Sequence, residues 1–164
     1  MTKKIIIGID PGIAKVGVGI IENTGFKNSI IDYSMIKTPA SLPIEDRLLE
    51  ISKELSEKIR LFKPTCMAIE DLFFNKNVSS ALLVGHARGS ILLTAAQFNL
   101  KCYHYTPLQI KQAVCGYGYA KKHQVQFMVQ KLLNLKSIPK PVDAADALAI
   151  AICHSQSIKL NSYA

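Results

Sequence analysis

The segment Lys4-Ile-Ile-Ile-Gly-Ile-Asp10 constrains this chain more than any other. From Lys4 to Ile9 it is almost unbroken branched apolar sequence, which suits a central strand buried on both faces, so that layers of structure must cover the sheet on either side. Val16 to Ile21 and Ile30 to Ile36 read as two more strands. Glu22-Asn23-Thr24-Gly25 between them is a hairpin-type turn sequence, giving an antiparallel meander of three strands. Ile44, Leu48, Ile51, Leu55 and Ile59 then recur at helical spacing, with Pro43, Glu45 and Asp46 at the start and Lys58 and Arg60 at the end, as the helix dipole favours.

After Lys63-Pro64, the sequence predicts a fourth strand over Thr65 to Glu70, a long helix over Val78 to Phe98 and a fifth strand over Lys101 to Tyr105. A helical stretch around Leu108 to Val114 follows. Then come a glycine-broken loop from Gly116 to Gly118, a helix from Lys122 to Leu133, a stiff link at Pro139 and Pro141, and a last helix over Val142 to Ser155. In the long helix Ala81, Gly85 and Gly89 recur every four residues, a stripe expected to pack closely within the domain, with dimerisation as the other use of such a stripe. The order βββαβαβα, with five strands in a mixed sheet and helices on both faces, is an α/β plan of the ribonuclease H-like kind. At 164 residues the chain fits one domain, expected over residues 1–158 with a short tail at 159–164.

The charge is unevenly placed. Lys and Arg number 20 against 12 Asp and Glu, a formal balance of +8, and no acid occurs between Leu72 and Val142. That stretch carries Lys76, Arg88, Lys101, Lys111, Lys121, Lys122, Lys131, Lys136 and Lys140, so a positive surface and a polyanionic partner are expected. The opening apolar run is too short for a secretory or membrane segment, which points to a cytoplasmic protein with no membrane association. Cys66, Cys102, Cys115 and Cys153 lack C-x-x-C spacing, so neither a zinc site nor a disulfide framework is expected.

Four acids stand where chemistry is usually placed. Asp10 and Glu70 end buried strands, the position at which α/β sheets build ligand sites. Asp143 and Asp146 lie three residues apart in the first turn of the last helix and project from one face. Capping would account for one of them, yet the remainder of that helix is so apolar that both must sit at the rim of the core. Were the four to converge, their repulsion in a partly desolvated site would demand cations. An all-oxygen set with no Cys or His on the same elements favours Mg²⁺, or Mn²⁺ in its place, over zinc. Two such ions could activate a water and stabilise a leaving 3′ oxygen in phosphodiester cleavage. His86, His104, His123 and His154 do not join this set; His154 lies about 12 Å along the helix from Asp146 and reads as structural.

From about Ile5 to Ser155 the chain resembles the bacterial crossover junction endodeoxyribonuclease family, RuvC. The resemblance rests on Gly8-Ile9-Asp10-Pro11-Gly12, Ala68-Ile69-Glu70 with Phe73 and Lys76-Asn77, Ser80-Ala81, and Gly85 with Ala87-Arg88-Gly89. It continues through Gln109 to Val114, Gly116, Gly118, Lys122, Gln124-Val125-Gln126 and Asp143-Ala-Ala-Asp-Ala-Leu-Ala149. It implies a homodimer that nicks two opposed strands of a four-way DNA junction during recombination and repair, working with the RuvA-RuvB branch migration complex. It implies metal-binding catalytic roles for Asp10, Glu70, Asp143 and Asp146. It also implies DNA contact by Phe73, Lys111 and Lys122; Lys76, Arg88 and Lys121 are expected to join them on the basic surface. One departure is Ile13-Ala-Lys-Val-Gly-Val-Gly19, where many relatives carry a hydroxyl or arginine and an aromatic; it bears on local contacts and sequence preference.

Other readings remain open at this point. Asp10-Pro11-Gly12 with Gly17 and Gly19 also resembles the first phosphate loop of actin-like kinases and ATPases, but the chain has no second Asp-x-Gly copy for a second lobe. A ribonuclease H-like nuclease acting on structured RNA, and a junction-binding module without cleavage, are the remaining alternatives.

Overall fold

The computed structural model describes residues 3–71 and 78–161. Its elements run β1 (Lys4–Asp10), β2 (Lys15–Asn23), β3 (Asn28–Lys37), α1 (Ile44–Phe62), β4 (Cys66–Glu70), α2 (Val78–Gln97) and β5 (Lys101–Tyr105). Three separate helices, α3 (Pro107–Cys115), α4 (Lys122–Leu132) and α5 (Val142–Asn161), complete the order. The strands form one sheet, β3-β2-β1-β4-β5, with β1 in the middle as its apolar run requires. β1 and β3 flank β2 antiparallel, while β4 pairs parallel with both β1 and β5. This is the mixed five-stranded sheet with two helical layers expected from the sequence.

Side-chain alternation divides the core in two. Ile7, Ile9, Val18, Ile20, Met67 and Ile69 face Ile51, Leu55 and Ile59 of α1 and Ala87, Ile91 and Ala95 of α2. Ile6, Ile21, Cys66 and Ala68 face the other way, onto Leu148 to Cys153 of α5, Ile110 and Val114 of α3, and Val125 and Val129 of α4. On this second face the floor beneath α5 is glycine. Gly8 pairs with Gly19 across β1 and β2, and Asp10 pairs with Gly17. A Cβ on Gly8 would overlap the Ala147 carbonyl oxygen, and one on Gly19 would stand 2.6 Å from the Leu148 nitrogen, so α5 lies directly on the strand backbone.

Three details differ from the sequence expectation. β2 extends through Asn23, so the turn sits at residues 24–27, where the Thr24 amide donates to the Lys27 carbonyl. Asn23 is kept in the strand because its side-chain amide donates to Asn28 Oδ1 at 2.7 Å while its own Oδ1 accepts from the Gly25 amide. α5 runs to Asn161, six residues past the expected end. Among the described residues, the small-residue stripe of α2 is left open at Gly89, while Ala81 and Gly85 are half-buried. Gly89 is exposed with nothing within 4 Å of where its Cβ would be, and Leu82 and Leu93 on the same helix are 60% and 62% exposed. α2 is long and apolar enough to cross a membrane, yet its inner face carries core residues of this sheet.

The four cysteines are free, and burial pushes the Cys153 thiol up to about 12, as suits small hydrophobes. His154 is buried, takes a 2.6 Å hydrogen bond with Tyr105 through Nδ1 and packs its ring 4.1 Å from that of Tyr103. Burial, with a smaller push from Lys4, lowers its pKa to about 4, so it is neutral at ordinary pH and serves the core.

Candidate active site

The parity of β1 carries Asp10 to the α5 side. Ile6 and Gly8 face α5, so two residues further Asp10 does too. Cys66 and Ala68 face the same way in β4, which brings Glu70 to that side at the neighbouring strand end. Because β1 and β4 are parallel, with Ile9 opposite Ile69, the two carboxylates leave adjacent strands at the same edge. The glycine floor then lets α5 start directly above them. α5 supplies Asp143 from its first turn and Asp146 from the start of its second, and the carbonyl of Asp143 lies against Gly17, the residue paired with Asp10.

The four acids line one cavity of about 410 Å³ together with Lys111 and Lys122. Pro107, Ile110, Val125, Ala149 and Ile150 form its apolar wall. Burial, then the charges of Glu70, Asp146 and Asp143, pushes Asp10 up to about 8. Glu70 is likewise raised, first by burial and next by Asp146, with Lys111 and Lys122 opposing. Lys122 Nζ stands 2.9 Å from Asp146 Oδ2, which raises the lysine's pKa through the hydrogen bond. Asp146 is nonetheless raised, because burial outweighs its paired lysine.

These observations decide whether a divalent cation fits. The donors are all carboxylate oxygens, and their raised pKa values report a cavity in which negative charge is crowded and under-solvated. Among the described residues no three acidic, His or Cys groups are already drawn around one point, so the acids form the cavity wall and not a closed cage. An open wall of hard oxygen donors, with water space between them, suits Mg²⁺ or Mn²⁺ and their retained waters.

The residues expected to contact DNA divide three ways. Lys111 and Lys122 reach the cavity, and Lys121 is exposed immediately beside it at the start of α4. Arg88 goes elsewhere: its guanidinium is 2.7 Å from Asp71 Oδ1 and 2.6 Å from His104 Nδ1, tying α2 to the ends of β4 and β5. Phe73 and Lys76 lie outside the described residues. Sequence reasoning passed over Asp71 and His104. An acid adjoining Glu70 and a histidine in a strand give no sign of a shared arginine until the parallel pairing of β4 with β5 places Ile69 opposite His104.

The model of the crossover junction endodeoxyribonuclease RuvC family matches residues 6–154, from β1 through most of α5. The chain belongs to the RuvC family. It is 56% identical over 157 residues to the crossover junction endodeoxyribonuclease RuvC of Halothermothrix orenii, covering 96% of this chain and 95% of that one. Among solved structures it is similar to Thermus thermophilus RuvC in complex with a Holliday junction substrate, at 34% identity and a TM-score of 0.92 over 97% of both chains. The yeast mitochondrial Holliday junction resolvase Ydc2 shares the fold at 15% identity and a TM-score of 0.70. The RuvC match over nearly all of this chain sets aside the likeness of Asp10-Pro11-Gly12 to an actin-like phosphate loop.

Proposed function

We propose that this RuvC-family chain resolves four-way DNA junctions by divalent-metal-dependent nicking of two opposed strands, with Asp10, Glu70, Asp143 and Asp146 as metal ligands. The single observation carrying the reading is that acids from β1, β4 and α5 line one cavity whose remaining polar groups are lysines. Mg²⁺, with Mn²⁺ able to substitute and two ions per site, would be held by those carboxylates. The bound cation supplies charge neutralisation for the scissile phosphate and makes an attacking water more acidic.

The chain's own residues supply the rest. Lys122, bridged to Asp146 but 62% exposed along its side chain, is placed to exchange that carboxylate for an incoming phosphate oxygen. Lys111 flanks the same opening, and Lys121 extends positive charge outward from it. The wall of Ile110, Val125 and Ile150 limits water on the inner side and strengthens the electrostatics there. Arg88 ties α2 to Asp71 and His104 through one guanidinium nitrogen, Nη2, which leaves its other donors for the DNA contact expected of it.

Two symmetric nicks require two active sites, which a homodimer supplies. The unconsumed face of α2, with Leu82, Gly89 and Leu93 exposed, supports pairing through that helix. Action in the bacterial cytoplasm alongside the RuvA-RuvB complex completes the proposal.

A synthetic four-way junction with and without Mg²⁺ tests the function. Asp143→Asn is expected to lower cleavage on the order of a thousandfold while junction affinity stays within a few-fold. Preserved cutting would remove Asp143 from the site, and comparable cutting of structured RNA would redirect the substrate. Binding should also weaken steeply with salt, on the order of a thousandfold between ~50 and ~200 mM if about six phosphates are neutralised. A titration by fluorescence anisotropy that stays flat across this range would contradict the phosphate-binding role of the basic surface.

A further inference from the structure

Between α3 and α4 the chain makes a four-residue loop, Gly116 to Tyr119, followed by Ala120 and Lys121. Tyr119 is 90% exposed, an unusual expense for a large aromatic ring. The exposure is not that of a loose segment. Gly116 closes α3 in the left-handed region at φ +84°, its amide donating to the Gln112 carbonyl while its own carbonyl accepts from the Gln112 side chain. At the other end Ala120 is buried in the core, and the Lys121 amide donates to Gln124 Oε1 at 2.7 Å. Gly118 admits the Leu108 side chain into the space a Cβ would need. The backbone on either side of Tyr119 is therefore pinned, and the ring is held out into solvent.

Its position relative to the acids is equally fixed. Lys122, three residues on, touches Asp146 in the cavity, and three residues of extended chain span at most about 11 Å. With about 6 Å for each of the two side chains the ring lies at most about 25 Å from Asp146, and a DNA strand advancing about 3.4 Å per nucleotide covers that in about seven nucleotides. The surroundings carry Lys121, Lys122 and no acid from the sequence between residues 72 and 142.

We infer that Tyr119 is a stacking platform for a nucleobase of the cleaved strand, lying within about seven nucleotides of the scissile phosphate, and that it helps to choose the cutting position. This rests on the junction-cleavage reading above and extends it to a residue outside the acidic cavity. A flat ring accepts the face of any base, so its contribution is to hold a base that has left its partner, and bases that unstack readily would be favoured.

The test compares wild type, Tyr119→Phe and Tyr119→Ala on four-way junctions whose sequence is varied within about seven nucleotides of the cut. Affinity, single-turnover cleavage and the distribution of cut positions are all read. Tyr119→Ala is expected to lose about 5- to 100-fold in junction affinity or cleavage, with altered cut positions and an unchanged melting temperature. Tyr119→Phe should match wild type in all of these. Stacking is overturned if Tyr119→Ala cuts at wild-type rate and positions, or if Tyr119→Phe is as impaired as Tyr119→Ala. A wild-type chain that cuts no junction overturns the resolvase reading and this inference with it, whereas normal wild-type cutting with an indifferent Tyr119→Ala overturns the stacking alone.

Discussion

Replacing Asp10 by asparagine is expected to stabilise the metal-free protein at neutral pH while abolishing junction cleavage. The carboxyl of Asp10 is pushed from 3.8 up to about 8, by burial first and then by Glu70, Asp146 and Asp143. Below about pH 4 both the folded and the unfolded chain hold its proton, so the group leaves stability unchanged there. As pH rises from about 4 to 8 the unfolded chain gives up the proton and the folded chain keeps it. Folding then loses up to about 1.4 kcal/mol per pH unit from this one group, and the loss levels off above pH 8. Asparagine has no proton to lose and nearly the same shape. The variant should therefore exceed wild type by roughly 2 to 4 kcal/mol at pH 7 in a chelator, with the advantage fading toward pH 4. Adding Mg²⁺ should stabilise wild type by mass action and the variant much less. Urea denaturation across pH, with and without the cation, measures all of this, and a variant weaker than wild type at pH 7 would show that the Asp10 carboxylate is not strained.

That strain was only partly visible in the sequence. The strand β1 was legible because a run such as Ile5-Ile6-Ile7 has no solvent-tolerant face, and the acids at the ends of β1 and β4 stood out against it. Their convergence depends on two further facts, that Asp10 and Glu70 share parity with Gly8 and Ala68, and that β1 and β4 pair with Ile9 opposite Ile69. Parity can be read from a strand; pairing register between strands sixty residues apart cannot. Arg88 illustrates the same limit. The run of positive charge between residues 72 and 142 points to a DNA contact by Arg88 but not to its ion pair with Asp71, which lies just before that stretch. The α2 stripe signals that something approaches Gly89 closely, but such a stripe cannot specify whether the neighbour lies in the same chain, and among the described residues no atom fills the space beside Gly89. The basic stretch and the family resemblance both point to DNA contact by Lys122; its bond to Asp146 depends on α4 and α5 lying side by side.

Gly17→Ala should reduce cleavage by about a hundredfold or more, although residue 17 has no chemistry of its own. Gly17 pairs with Asp10 across β1 and β2, beneath the first turn of α5. A Cβ there would overlap the Asp143 carbonyl oxygen, lie 2.5 Å from the carbonyl carbon and press on Asp10 Cβ at 3.1 Å. Two of these obstacles are backbone, so no rotamer change relieves them; the start of α5 must move. The helix is held farther along by Leu148, Ile150 and Ile152 in the core, so the displacement falls on the turn bearing Asp143 and Asp146. A shift of about 1 Å in a catalytic group costs on the order of a hundredfold in rate. On the DNA-binding role proposed for Lys111, Lys121 and Lys122, junction affinity should change only a few-fold, and the loss should appear in the single-turnover rate and in the Mg²⁺ concentration needed for half-maximal cutting. Wild-type cleavage by Gly17→Ala would mean that α5 does not rest on the glycine floor, and the placement of Asp143 and Asp146 above Asp10 would lose its structural cause.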